Sequence, residues 1–166
     1  MSRFNVKKVA VLGAGVMGAQ IAAHLVNVKV PVVLFDLADT KSPAKNGIVT
    51  RAIANLAKLK PSPLGNKADA SLIQAANYEE HLELLQGCDL IIEAIAERMD
   101  WKVDLYSKIA PHVAPGAIVA SNTSGLSITA MSAALPDALK PSFCGIHFFN
   151  PPRYMPLVEL IATPTT

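Results

Sequence analysis

The chain has 166 residues, 51% of them hydrophobic, which is enough for a well-buried core within the size range of one compact domain. Its formal net charge of +2 does not indicate a nucleic-acid-binding protein, which needs Lys and Arg clustered on one face. The two cysteines, Cys88 and Cys144, show no metal-ligand or disulfide spacing, and this favours a reducing cytoplasm.

The first predicted elements are a short apolar strand at residues 8–12 and a helix at residues 16–28, joined by glycines. Residues 9–28 contain no Asp, Glu, Lys or Arg and reach transmembrane length. We reject a membrane span, because the pattern changes from a β-branched run to helical spacing across the glycines. The N-terminal segment MSRFNVKK is followed by no cleavage pattern, so a secretory signal is not predicted either.

Strands and helices alternate along the rest of the chain. Further strands are predicted at residues 31–35, 72–76, 89–93, 117–121, 143–147 and 157–161, and further helices at 46–59, 78–85, 101–113 and 128–134. The Pro-rich segment at residues 60–66 is predicted to be a surface loop. Such alternation needs right-handed crossovers, which build a doubly wound, mostly parallel sheet with helices on both faces. The predicted fold class is therefore α/β of the Rossmann type, with residues 1–166 as one domain.

A glycine motif lies between the first strand and the first helix. It has the GxGxxG spacing and consists of Gly13, Ala14, Gly15, Val16, Met17 and Gly18. In a dinucleotide-binding turn the first glycine permits the tight turn, the second lets the backbone approach the pyrophosphate, and the third lets the helix pack closely on the strand. The open N–H groups of the helix then face the phosphates.

An acidic residue completes this pattern, since Asp36 ends the second strand 18 residues beyond Gly18. A carboxylate there can accept the hydroxyl hydrogens of the adenosine ribose, and it repels a ribose 2′-phosphate. We therefore expect NAD in preference to NADP. The turn alone leaves FAD open.

His147 and Glu159 form a second candidate site. A lone histidine at the end of an apolar strand is more often a satisfied core or crevice residue than a catalytic one. Glu159 lies in the otherwise apolar segment LVELI, where a buried carboxylate is costly unless it has a partner. A buried carboxylate beside an imidazole fixes the tautomer and stabilises the imidazolium that forms when the other nitrogen takes a proton.

Four stretches in order resemble the 3-hydroxyacyl-CoA dehydrogenases, including the dehydrogenase parts of multifunctional fatty-acid oxidation proteins. They are GAGVMGAQIA, IIEAIAERMDWK, SNTSGLSIT and GIHFFNPPRYMPLVELI. The resemblance implies that His147 and Glu159, 12 residues apart, are the family's catalytic pair. It also implies that Ser124 hydrogen-bonds the 3-oxygen of the substrate and lies beside the cofactor.

Three further cofactor contacts follow from the resemblance. It implies that Glu97 and Lys102 lie against the nicotinamide ribose and neighbouring groups, and that Asn150 contacts the cofactor. From the residues alone, a solvated surface remains an alternative for Glu97 and Lys102, and Asn150 before Pro151 could be a turn signal. Asn122, Thr123 and Ser124 could cap the following helix.

The expected function is oxidation of an (S)-3-hydroxyacyl-CoA to a 3-ketoacyl-CoA with NAD. The resemblance implies a second, mostly helical domain, absent from this chain, that closes the acyl-CoA cleft and forms a dimer or part of a multifunctional complex. Without that domain we expect NAD binding but poor turnover. The alternative is a non-catalytic NAD-binding module used for sensing or assembly. Basic residues on the second long helix and its loop could meet coenzyme A phosphates or simply be solvated: Arg51, Lys58, Lys60 and Lys67.

Overall fold

Seven strands form one sheet in the computed structural model, which describes residues 5–166. The strands are β1 (Val9–Leu12), β2 (Val32–Asp36), β3 (Ile73–Asn77), β4 (Leu90–Glu93), β5 (Ile118–Ser121), β6 (Phe143–Phe148) and β7 (Val158–Ile161). The α-helices are α1 (Val16–Asn27), α2 (Gly47–Leu56), α3 (Met99–Ile109) and α4 (Ile128–Ala134). The strand order is β3-β2-β1-β4-β5-β6-β7.

The sheet is parallel from β3 through β6, and only β7 runs antiparallel, against β6. Parallel neighbours need a crossover, and the connections inside the sheet provide one. The short connection from Phe148 to Val158 contains no helix, so the chain folds back beside β6 as a hairpin. The predicted doubly wound, mostly parallel sheet is confirmed.

Alternate residues of the central strands enter two separate cores. Ala10 and Leu12 of β1 pack with residues of α3 and α4, whereas Val9 and Val11 pack with residues of α1 and α2. Successive side chains of a strand point to opposite faces, so both faces of β1 are apolar because both are covered by helices. Within residues 5–166 no helix is long and apolar enough to cross a membrane, and residues 9–28 form the predicted strand, turn and helix.

Three helices differ between the prediction and the structure, either in their boundaries or in their type. The helix predicted at 78–85 is a 3-10 helix at Leu82–Gly87, because the Asn77 side chain accepts the N–H groups of Glu79 and Glu80 and makes a turn first. Helix α2 ends at Leu56 instead of residue 59. Helix α3 spans Met99–Ile109 instead of 101–113, and a 3-10 turn follows because Pro111 lacks the N–H that would continue it. The prediction about a secretory signal falls partly on residues 1–4, outside the described residues.

The sheet order reverses between β1 and β4, which are neighbours although they are distant in sequence. In open α/β sheets the ligand crevice lies at such a switch point, outside the carboxyl ends of the strands. Leu12, Glu93 and Ser121 end the central strands at this edge. The loops that follow them therefore build the walls of the candidate site.

Candidate active site

The turn after β1 has the geometry that the glycine motif predicts. Gly13 has φ +105°, and a Cβ there would lie 2.7 Å from the carbonyl oxygen of Ala94. A Cβ on Gly18 would lie 1.8 Å from the carbonyl oxygen of Gly13, so only glycine lets α1 pack this closely. Gly15 is the N-cap of α1, and a Cβ there would meet no described atom within 4 Å. The backbone at Gly15 is thus open to an approaching phosphate, which fits a dinucleotide.

Asp36 lies directly beside this turn. One carboxylate oxygen accepts the N–H of Ala14 at 2.7 Å, and the other accepts the N–H of Leu37 at 2.7 Å. Each carboxylate oxygen has a second lone pair, so the group can still accept a ribose hydroxyl. The two N–H groups hold it in place for that role.

A cavity of about 530 Å³ extends from the turn and Asp36 to helix α3. Its wall includes Tyr78 and Trp101, which were not among the predicted site residues. Burial, and then the Asp36 charge, raise the pKa of the Tyr78 hydroxyl well above its usual range, so this hydroxyl stays protonated. The helical spacing of Trp101, Asp104 and Lys108 was the signal that could have identified this wall.

A second cavity, of about 370 Å³, lies on the other side of the loop that follows β4. Ile95 and Ala96 of this loop line both cavities. The second cavity brings together most of the predicted catalytic and nicotinamide-side residues: Met17, Glu97, Asn122, Ser124, His147 and Asn150. Met17 of the glycine motif therefore lines the same cavity as groups from β6 and from the loop that follows β5.

His147 and Glu159 face each other across the β6–β7 hairpin, where they occupy paired register positions. The Nδ1 atom of His147 lies 2.7 Å from Oε2 of Glu159. In a neutral imidazole beside an ionised carboxylate, which only accepts, Nδ1 carries the proton and Nε2 keeps a free lone pair. The imidazole ring is also in contact with Phe149, at 4.6 Å between ring centroids.

The expectation that Glu159 is buried is wrong. Its side chain is 49% exposed, compared with 17% for His147. The physical reason is that β7 is the edge strand, and all four of its residues are exposed. The partner that the carboxylate needs is nevertheless present in His147.

Glu97 connects two loops of the crevice. Its carboxylate accepts the hydroxyl of Thr123 and, at 3.1 Å, the backbone N–H of Ser124. Asn122 accepts the N–H of Phe148 at 2.9 Å, which joins the same loop to β6. Ser124 lines the second cavity, and its backbone N–H is bound by the Glu97 carboxylate.

The alternative that Asn122, Thr123 and Ser124 cap the next helix is wrong. Helix α4 begins at Ile128, and its N-cap is Ser127, whose hydroxyl accepts the N–H of Ala130 at 3.2 Å. The segment before Ser127 is too far from the helix end to cap it. Thr123 instead accepts the N–H of Leu126 at 3.1 Å, and its hydroxyl and the N–H of Ser124 donate to Glu97.

Lys102 is not placed on a cavity wall, in contrast to the role that the resemblance implied. Its side chain is 1% exposed, and Nζ lies 2.6 Å from Oε1 of Glu93. The other Glu93 oxygen accepts the hydroxyls of Tyr106 and Ser121, at 3.0 and 2.7 Å. A buried ammonium needs a counter-charge, and Glu93 provides it. The Lys102 side chain therefore lies beneath the loop that follows β4 and does not reach the crevice.

Asn150 lies at the start of the turn between β6 and β7 and lines the second cavity. Gln20 of α1 donates to its side-chain oxygen at 3.4 Å. Met17 lines the same cavity, whereas Val16 at the start of α1 is 70% exposed. The turn motif and Asn150 are thus neighbours in the structure.

Two further histidines, for which the sequence predicts no catalytic role, and the basic group lie elsewhere. Burial, and then Arg153, lower the pKa of His24, whose ring packs edge-on against Phe148. His81 accepts the N–H of Asn77 through Nδ1. Arg51 of the basic group pairs with Asp39 at 2.9 Å. None of these residues lines either cavity within the described part of the chain.

Residues 8–166 match the family described as 3-hydroxyacyl-CoA dehydrogenase, NAD binding domain. A Rickettsia felis protein named as a fatty acid oxidation complex trifunctional enzyme is 47% identical over 95% of the chain and 22% of its own length. The solved (S)-3-hydroxybutyryl-CoA dehydrogenase from Ralstonia eutropha is 34% identical with a TM-score of 0.78, over 98% of this chain and 56% of that one. The 3-hydroxybutyryl-CoA dehydrogenase from Escherichia coli K12 is 30% identical with a TM-score of 0.79, over 98% and 34%. The chain therefore spans between about a fifth and somewhat more than half of these relatives.

Proposed function

The chain belongs to the 3-hydroxyacyl-CoA dehydrogenase family, as its NAD-binding domain, and from this premise we propose that it supplies the proton-transfer groups for the interconversion of (S)-3-hydroxyacyl-CoA and 3-ketoacyl-CoA. The observation that carries the proposal is the 2.7 Å contact between His147 and Glu159, together with the position of His147 on the wall of the second cavity. A histidine oriented in this way is suited to accept a hydroxyl proton.

The cofactor is NAD, which accepts the hydride of the 3-carbon when it is bound. The residues that would hold it are those of the glycine turn together with Asp36. The open backbone at Gly15 supports this placement, since a side chain there would occupy the space of a phosphate.

Four side chains have separate roles in the proposed proton transfer. Nε2 of His147 takes the hydroxyl proton during oxidation, and Glu159 holds the opposite nitrogen and compensates the charge of the imidazolium. Ser124 is proposed to donate its hydroxyl to the 3-oxygen of the substrate. Glu97 fixes the backbone of Ser124 and thereby the position of that hydroxyl.

Nucleotide preference gives a first test. We expect NADH to bind more tightly than NADPH, and Asp36→Ala to weaken NADH binding by about 10- to 100-fold, as expected for hydrogen bonds to a charged group. The preference for NADH should disappear in this variant, because the charge that repels a 2′-phosphate is gone. Isothermal titration with both nucleotides measures this. Tighter NADPH binding by the wild type would contradict the role of Asp36.

We further propose that a second domain, outside residues 1–166, completes the acyl-CoA cleft along the β6–β7 side. Leu157, Leu160 and Ile161 are exposed there, and the relatives are longer than the matched region. Partners of the complete protein would then include the acyl-CoA substrate and either a second copy or a multifunctional complex. The free thiols of Cys88 and Cys144 are consistent with a reducing cytoplasm.

This proposal predicts that binding and turnover separate. The 166-residue chain should bind NADH, while its oxidation of NADH with saturating acetoacetyl-CoA should be far below the usual range of about 1–10³ s⁻¹. The reason is that substrate positioning can contribute roughly 7–11 kcal/mol to lowering a barrier. Turnover in the usual range would show that residues 1–166 hold the whole substrate site. No turnover in any longer natural form of the protein would instead favour the non-catalytic NAD-binding alternative.

A further inference from the structure

We propose that one face of helix α3 reads the adenine base of the bound dinucleotide, with Trp101 stacking on the ring and Asp104 and Lys108 hydrogen-bonding its edge. This inference rests on the proposed binding of NAD and assigns it base specificity. It concerns the cavity of about 530 Å³ that extends from Asp36 to α3.

Helical geometry places these side chains on one wall. Trp101, Asp104 and Lys108 are three and four residues apart, so they follow one another along the same face of a helix. All three line the cavity, together with Leu105 on the same face. Asp36 lies in the wall of the same cavity, so a ribose held there directs its base along the space beside α3.

The charged groups on this face are free to bind a ligand. Within residues 5–166, neither Asp104 nor Lys108 makes a side-chain hydrogen bond or an ion pair. The other two charges of α3 are already paired: Asp100 with Arg98 at 2.7 Å, and Lys102 with Glu93 at 2.6 Å. The two charges of α3 without such a partner, Asp104 and Lys108, both line the cavity, whereas Asp100 and Lys102 do not.

Trp101 offers an apolar surface beside these charges. Its side chain is a large hydrophobic group that remains 50% exposed, and the Arg98 guanidinium lies 4.4 Å from the ring centroid. Arg98 does not line the cavity whereas Trp101 does, and in this proposal the base stacks on the indole from the cavity side, away from Arg98. Aromatic rings stack on nucleobases without regard to their identity, so Trp101 adds affinity and not selectivity.

Selectivity comes from the charged pair. The edge of adenine presents an amino donor beside a ring-nitrogen acceptor. The carboxylate of Asp104 can accept from the amino group, and the ammonium of Lys108 can donate to the ring nitrogen. Hypoxanthine has a carbonyl oxygen in place of the amino group, and this oxygen would face the carboxylate with no hydrogen between them.

The test compares NADH with reduced nicotinamide hypoxanthine dinucleotide by isothermal titration. We expect the wild type to prefer NADH by about tenfold, the size of one hydrogen bond to a charged group near the surface. Asp104→Asn should reduce that preference to less than about twofold, because the amide can accept from the amino group or donate to the carbonyl oxygen. Asp137→Asn removes the same charge at a site that lines neither cavity, and it should leave the tenfold preference unchanged.

Stacking is tested in the same titrations. Trp101→Ala should weaken the binding of both nucleotides by about fivefold, and Trp101→Phe should restore most of the loss. Equal binding of the two nucleotides by the wild type, or an unchanged preference in Asp104→Asn, would overturn the inference and leave the proposed function standing. Absence of NADH binding by the folded wild type would overturn the proposed function, and the inference with it.

Discussion

His147→Gln is expected to lower the turnover of acetoacetyl-CoA with NADH by about 10²–10⁴-fold, the usual contribution of a positioned general acid or base. Glutamine keeps a hydrogen-bonding side chain of similar length, but it cannot exchange a proton with the substrate oxygen. NADH affinity should change by less than about twofold, because the group acts on the substrate. The measurement is steady-state NADH oxidation by the longest natural form of the protein, combined with NADH titration.

Two variants make this result specific. Glu159→Gln should show a smaller loss than His147→Gln, because the imidazole remains while the charge that stabilises its protonated form is removed. His112→Gln changes a partly buried histidine in the 3-10 turn after α3 that lines neither cavity, and it should retain wild-type turnover. If His147→Gln retains half of the wild-type turnover, His147 is not the proton-transfer group.

Lys102→Met is expected to lower the free energy of unfolding by about 3–5 kcal/mol, the usual effect of breaking a buried ion pair from one side. Methionine fills a similar volume, so packing changes little. The cost arises because the buried carboxylate of Glu93 loses its counter-charge. Glu93 would still accept the hydroxyls of Tyr106 and Ser121, but these neutral donors cannot neutralise its negative charge. Denaturant unfolding followed by circular dichroism measures the effect.

Matched variants separate this explanation from a loss of helix propensity. Lys108→Met makes the same change on the same helix at an exposed position, and it should alter stability by no more than about 0.5 kcal/mol. Glu93→Gln combined with Lys102→Met should recover part of the lost stability, because no unpaired charge remains buried. A folded Lys102→Met variant of wild-type stability that no longer binds NADH would instead support the cofactor contact that the resemblance implied.

The buried network also explains why the crevice loops are held in place. Oε1 of Glu93 accepts the backbone N–H of Ile95 at 2.7 Å, and Ile95 lines both cavities. Burial, and then the Glu93 charge, raise the pKa of the Tyr106 hydroxyl well above its usual range, so it remains a donor to Glu93. Lys102 thus supports the wall of the crevice from below.

Most of the fold was predictable because its signals are local. Short apolar runs separated by helical periodicity indicate buried parallel strands, and helix α4 lies at residues 128–134 as predicted. The helix predicted at residues 78–85 was wrong, because apolar spacing there is compatible with a turn. The Asn77 side chain stabilises the turn because its oxygen accepts the backbone N–H groups of Glu79 and Glu80.

The sequence by itself determined the parts of the site whose geometry depends on spacing within one element or between adjacent ones. The glycine turn and Asp36 belong to this group, whereas the pairing of His147 with Glu159 was implied by the resemblance and its antiparallel register came from the structure. Only the tertiary structure decided which charges are buried. Lys102 and Lys108 are both on α3 and look alike in sequence, yet only Lys102 meets a carboxylate from β4 beneath the loop. Glu159 is exposed because nothing in residues 5–166 covers β7. Burial depends on what packs against a side chain from distant parts of the chain, and local spacing carries no information about that partner.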